Sequence, residues 1–296
     1  MALPHCPIAS LPHCLINLKY THCVRARWSG RLAAIVVAGA GLIASGGAEP
    51  QRRGGLGRGV PFGQSWVYDG AFAFCRLAFS QSPWGDGGGW SVDYPRADLN
   101  FPFRLGELTT TSISHDSRGE PNHNVVTLMD PHLFECPFVM MTEPGGAYFS
   151  PEEAANLRLY LEKGGFLWAD DFWGEYAWQV WENELRKALP ANQYPIVDVP
   201  MDHPIMHARY WVQKVPQIPS INHWFATSDT SERADSREVH VRAALNERGR
   251  IIVLMTHNTD FGDAFEREGE NREYFDQFAA VGYAFGVNVY VYALSH

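Results

Sequence analysis

Residues 72–79 read Phe-Ala-Phe-Cys-Arg-Leu-Ala-Phe, a short apolar run that predicts a buried strand. The turn Asp93-Tyr-Pro95 then leads into a helix over Arg96 to Leu108. Asn124 to Met129 and Phe138 to Thr142 predict two further short strands, with a helical turn at Pro131 to Phe134 between them. Ser150-Pro-Glu-Glu153 marks a helix start. Ser150 can cap, Pro151 suits the first helical position, and Glu153 can return the capping-box bond. Leu157, Tyr160 and Leu161 give that helix its apolar stripe, and Gly164-Gly165 stops it. Phe166-Leu-Trp-Ala169 predicts a strand that ends in Asp170-Asp171. A tight turn follows at Phe172-Trp-Gly174, then a helix over Glu175 to Leu189.

A second apolar strand, Arg250 to Met255, runs into Thr256-His-Asn-Thr-Asp-Phe-Gly-Asp263. From Glu273 onward, Phe275, Phe278, Gly282, Phe285, Val289 and Ala293 recur at steps of three and four, the pattern of one long final helix lying on the sheet. Residues 195–224, rich in Pro and aromatics, read as an irregular excursion. Strands alternating with helices of these lengths predict an α/β fold, a mostly parallel sheet covered on both faces.

Composition sets the scale and narrows the partners. The 296 residues, 46% of them hydrophobic and 13% aromatic, suffice for one large core, so residues 68–296 are expected to form a single domain behind a Gly/Arg-rich linker at 49–67. The net charge of −9 is unevenly spread, because residues 1–60 hold seven basic groups and one acid. The rest of the chain is strongly acidic and carries no basic stripe with interleaved aromatics, which argues against nucleic acid as a partner. A small-molecule ligand or a cell-envelope protein is the expected partner.

Arg25, Arg27 and Arg31 precede the apolar run from Leu32 to Ala44, and Gly46 and Ala48 stand where a signal-peptide cleavage site needs small residues. Residues 1–48 are therefore expected to be a leader and export signal cleaved near Ala48, with a periplasmic or extracellular product. The apolar run is too short for a permanent membrane span, which needs about 20 residues. The pairs His5-Cys6, His13-Cys14 and His22-Cys23 are spaced too widely for a zinc site of the C-x₂₋₄-C kind. In the body, Cys75 and Cys136 lie in apolar runs and read as buried free thiols in preference to a disulfide or a nucleophile.

Four strings in order carry a family resemblance: Phe72 to Phe79, Trp90-Ser-Val-Asp-Tyr-Pro-Arg-Ala-Asp-Leu-Asn100, Gly164 to Gly174, and His257-Asn-Thr-Asp-Phe-Gly-Asp263. Over roughly residues 68 to 296 the chain resembles the bacterial family catalogued as domain of unknown function 4159. That resemblance implies a class I glutamine amidotransferase-like, flavodoxin-like doubly wound sheet, and frequent export, without implying a reaction. The turn where an amidotransferase carries its nucleophilic Cys reads Ala169-Asp-Asp-Phe-Trp-Gly174 here, so glutamine hydrolysis is not expected.

Candidate chemistry gathers at the strand exits, where open α/β sheets bind ligands. Asp170 and Asp171 can hold a cation, orient a ligand or divide into acid and base, while one of them can instead cap a helix. Asp260 is the third catalytic candidate, and His257, Asn258, Asp260 and Asp263 are expected to reach the same crevice. Asp93, Tyr94, Arg96 and Asn100 form a polar-aromatic stretch in which Arg96 can pair with a ligand carboxylate or with Asp93. Of the aromatics, Trp168, Phe172, Trp178 and Trp181 read as core, and Trp173 on the turn is expected to face a ligand. The oxygen and nitrogen ligands of His257, Asn258, Asp260 and Asp263 would suit a divalent metal, but the same residues make ordinary Asx-turn loop chemistry, no two-His motif is present, Pro204 breaks the helix that would align His203 with His207, and no metal is assigned. No cofactor is implied. The expected function is binding of a small ligand or envelope partner through the acidic groups. A carboxylate-dependent hydrolase, acting on envelope glycans, and a structural envelope module are the alternatives.

Overall fold

In the computed structural model, which describes residues 68–296, the chain forms one mixed α/β unit. The leader, export signal and linker expected over residues 1–67 lie outside the described residues. The first strand, β1 (Phe74–Ala78), is followed by the two-residue β2 (Ser80–Gln81) and by α1 (Arg96–Leu108). Next come β3 (His123–Thr127), a 3₁₀ turn at Pro131–Glu135, and β4 (Phe138–Thr142). The short β5 (Ala147–Tyr148) pairs antiparallel with β2, and α2 (Pro151–Glu162) and β6 (Phe166–Phe172) follow it. After α3 (Gly174–Ala188) come β7 (Ile196–Asp198), α4 (Ile221–Thr227), β8 (His240–Leu245) and β9 (Ile251–His257). The chain ends in α5 (Phe261–Glu266) and α6 (Arg272–Ser295), which contains a π turn at Phe275–Ala279.

The seven-stranded sheet has the order β3-β1-β4-β6-β9-β8-β7. Its first five strands are parallel, and β8 runs antiparallel between β9 and β7. The antiparallel edge was not foreseen. His240-Val-Arg-Ala-Ala-Leu245 alternates weakly, and its place is set by pairing with β9 rather than by its own pattern. The stretch read as irregular, residues 195–224, contains β7, a 3₁₀ turn at Pro204–Met206 and the start of α4.

Local signals explain the best-predicted elements. Ser150 accepts from the Glu153 backbone while the Glu153 side chain accepts from the Ser150 N–H, so the capping box is complete. At the other end of α2, Gly164 adopts φ +102°. The N–H groups of Gly164 and Gly165 return to the Leu161 and Tyr160 carbonyls in a Schellman motif. Two apolar layers sandwich the sheet. Phe74, Phe101, Phe138, Trp168, Phe265 and Phe285 pack on the face covered by α1, α5 and α6, and Leu77, Val139, Leu157, Leu167 and Trp181 on the face covered by α2 and α3. Helix α6 is long and apolar enough to cross a membrane, but 72% of its most apolar window is buried inside the fold, which is core behaviour.

Cys75 and Cys136 form a disulfide, with Cα atoms 6.2 Å apart, which corrects the reading of two free thiols. Each cysteine sits in an apolar run, as the sequence shows. Their meeting depends on β1 and β4 being sheet neighbours, and a periodicity argument carries no information on strand order.

Candidate functional site

Strands β1, β4, β6 and β9 point their carboxyl ends to one rim of the sheet, and three carboxylates from separate segments meet there. Asp93 comes from the loop before α1, Asp171 from the end of β6, and Asp260 from the turn between β9 and α5. One oxygen of each lies within 4.8 Å of the other two. The residues are 6%, 6% and 3% exposed, respectively, so the cluster is buried. Backbone strain gathers at the same rim. Asp93, Glu143, Asp171 and Asn258 adopt φ of 63°, 51°, 57° and 64°, four of the five left-handed non-glycine residues among those described.

Few donors serve these acids. The Trp173 indole N–H donates to Asp171 Oδ1 at 2.9 Å, and the Asp263 N–H donates to Asp260 Oδ1 at 2.7 Å as the cap of α5. Asp93 Oδ2 is buried with no hydrogen-bond partner. Among the described residues none of the three acids forms an ion pair with a basic side chain. Burial pushes all three carboxyls well above the usual carboxylate range, and mutual repulsion adds to it: Glu143 and Asp93 act on Asp171, and Asp171 and Asp93 act on Asp260. For Asp93 the Arg76 guanidinium opposes the shift.

Asp170 behaves differently from its neighbour. It is fully buried and bonded on both oxygens. Thr256 Oγ1 donates to Oδ1 at 2.5 Å, and the Phe261 and Gly262 N–H groups donate to Oδ2 at 2.8 and 3.1 Å. Burial lifts its pKa to about 7 against those donors. Asp170 therefore ties β6 to β9 and to the start of α5, and it is closed to a ligand.

The other predicted residues divide. Asp263 borders the acid centre, but its Oδ2 already accepts from the Ile221 N–H and the Tyr274 hydroxyl, and Arg267 flanks it at 3.5 Å; burial raises its pKa to about 6. Asn258 braces the crevice wall, accepting from the Gly174 N–H and donating to the Glu238 carbonyl. His257 points to the opposite face of the sheet, where it stacks on Phe172 and shares a hydrogen bond with the Gly174 carbonyl; burial lowers its pKa to about 4. Asn100 is spent on the Phe265 and Glu266 carbonyls, and the Tyr94 hydroxyl meets His123. Arg96 faces Glu270 at 3.7 Å, with its side chain 64% exposed, and does not pair with Asp93. Trp173 is 5% exposed, and its indole N–H reaches Asp171 at the acid cluster.

Three contributors escaped the sequence reading. Arg76, in the middle of β1, forms a fully buried pair with Asp98 at 2.6 Å; an arginine inside an apolar strand is itself the signal that a buried acid must accompany it. Glu143, just after β4, accepts from the Gly89 N–H beside the crevice, and burial lifts its pKa to about 7. Gly262 supplies the floor under Asp93: a Cβ there would fall 2.2 Å from Asp93 Oδ2. Nothing in the local sequence marks the last two, because their importance arises from loops that meet in space.

No curated protein matches this sequence. The model of a family described as a domain of unknown function, DUF4159, matches residues 74–294, three-quarters of the chain and the whole sheet together with its acidic rim. The chain belongs to the DUF4159 family.

Proposed function

We propose that this chain is an exported, amidotransferase-like α/β domain that carries out no thiol chemistry and binds a small cationic ligand at the acidic rim of its sheet. The observation that carries the reading is the convergence of Asp93, Asp171 and Asp260 from three chain segments, with no basic side chain among the described residues paired to them. Structural carboxylates in a protein interior are normally paired or fully hydrogen-bonded. The flavodoxin-like part of the reading draws support from the five parallel strands, whose spatial order, numbered along the chain, is 2-1-3-4-5. In that arrangement ligands bind where the loops after the first and third parallel strands diverge, the place occupied by Asp93 and Glu143. The loss of thiol chemistry is supported by Asp170-Asp171 at the nucleophile turn and by the oxidation of both cysteines of the domain.

The same disulfide supports export, since such bonds persist in oxidising compartments. Amino-terminal sequencing of the secreted product should begin near residue 49; a terminus upstream of residue 30 would remove the export reading. The glycan hydrolase alternative draws less support, because its candidate acid Asp170 is closed off and its partner Asp260 is itself buried. A thermal-shift series with divalent cations, polyamines and amino sugars tests the binding reading. Ligands that bind only the folded state raise its melting temperature, and Asp171→Asn should abolish that rise. A series in which no cationic compound shifts the wild-type protein would refute the reading.

A further inference from the structure

The binding reading leaves the ligand open between an organic amine and an ion, and the geometry of the acids separates them. Within that reading, on which the inference rests, we propose that Asp93, Asp171 and Asp260 hold one hard divalent cation of the calcium, magnesium or manganese class.

The first support is the donor set. Three carboxylate oxygens from three segments, without thiolate or imidazole, suit calcium, magnesium or manganese rather than zinc or copper. Cys75 and Cys136, the cysteines among the described residues, are consumed by their disulfide, and His257 faces the other side of the sheet. The three oxygens lie within 4.8 Å of one another, near enough for a single ion to reach all of them.

The second support is independent of the clustering. Asp93 Oδ2 has no donor at all, and the fold goes to some length to place it: a left-handed Asp93 backbone holds the side chain over Gly262, at a spot where any Cβ on residue 262 would collide with it. A buried acceptor left unmade costs about 1–3 kcal/mol, more when charged, and an ion bound between Asp93, Asp171 and Asp260 removes that cost. Asp93 also lies within reach of Asp263 and Glu266, but those two already share Arg267, and Asp263 has the Tyr274 and Ile221 donors as well. The unsatisfied valence therefore lies on the side of Asp171 and Asp260. Sequence reasoning assigned no metal because it weighed His257 with Asp260 and had no means of bringing Asp93 to them.

The test uses the full chain, stripped with a chelator and dialysed. Calorimetric titration with calcium chloride, and with manganese followed by electron paramagnetic resonance, should show one ion per chain with a Kd of about 10⁻³ M or tighter. Calcium should displace the manganese. Asp93→Asn should weaken binding by about tenfold or more, because loss of even an outer partner costs about 10–100-fold at metal sites. Gly262→Ala, which removes no carboxylate but displaces Asp93, should do the same. Tryptophan fluorescence recorded in the same titrations reports whether each variant is folded, and the wild-type stoichiometry stands independently of the variants. Absence of binding at 10 mM ion, or unchanged affinity in both folded variants, would overturn the metal. If polyamines or amino sugars raise the melting temperature through Asp171 while no ion does, the metal falls and the binding reading stands. If nothing binds, both fall and the three acids hold shared protons.

Discussion

Two sets of buried charges sit a few residues apart in this fold and are resolved in opposite ways. The Arg76–Asp98 pair is complete: Nε and Nη2 donate to Asp98, and Nη1 donates to the Trp90 and Val92 carbonyls and to Thr142 Oγ1. The triad of Asp93, Asp171 and Asp260 has two donors among three carboxylates and no paired cation. Both sets are buried, so burial alone does not distinguish scaffold from site. The inventory of partners does, because an interior charge kept for architecture closes its own hydrogen bonds, whereas one kept for a ligand leaves a valence open.

The comparison breaks most readily at its complete half. Arg76→Met should cost about 3–5 kcal/mol in urea unfolding, since it strands the Asp98 charge in the core. A loss below about 1 kcal/mol would show that the pair is not the fixed reference it is taken for here. Next in size is the crosslink. Replacing both Cys75 and Cys136 by Ser should lower stability by about 2–4 kcal/mol, compared by unfolding under non-reducing conditions. The triad should then answer with the opposite sign. In ion-free protein, Asp171→Asn removes repulsion between buried acids and should be neutral or stabilising by about 1–2 kcal/mol, and a loss as large as that of Arg76→Met would place Asp171 among the scaffold charges.

How much of this was legible in the chain follows from which interactions are local. The capping box at Ser150 and Glu153 and the stop at Gly164-Gly165 are written within a few residues, and the structure reproduces them. Asp171 and Asp260 stand at the ends of apolar strands, and their nearness follows once β6 and β9 pair. Asp93 belongs to a long loop whose path is fixed by remote contacts, including Gly89 N–H to Glu143 and Asp86 to Arg233, so its arrival beside them was not readable. Cys75 with Cys136 failed for a related reason, since pairing them required the order of strands.

The smallest expected effect sharpens the comparison by adding a titrating group outside the crevice. Burial holds His257 at a pKa of about 4, below its ordinary 6.5, although the Gly174 carbonyl pulls it upward. The folded state prefers the neutral ring, so its contribution to stability is complete above the unfolded value and is lost as pH falls through the folded one. Asp170, raised to about 7, has the reverse slope: its contribution is greatest below the ordinary carboxylate pKa of 3.8 and declines as pH rises through 7. In ion-free protein the two oppose each other between those limits. His257→Phe keeps a ring to stack on Phe172 and deletes only the histidine slope. Relative to wild type, the variant should therefore gain about 1 kcal/mol between about pH 7.5 and pH 5.5 in paired urea titrations. An unchanged difference across that range would mean that His257 titrates as an ordinary surface imidazole, and that its side of the sheet is open to water where the acid centre is closed.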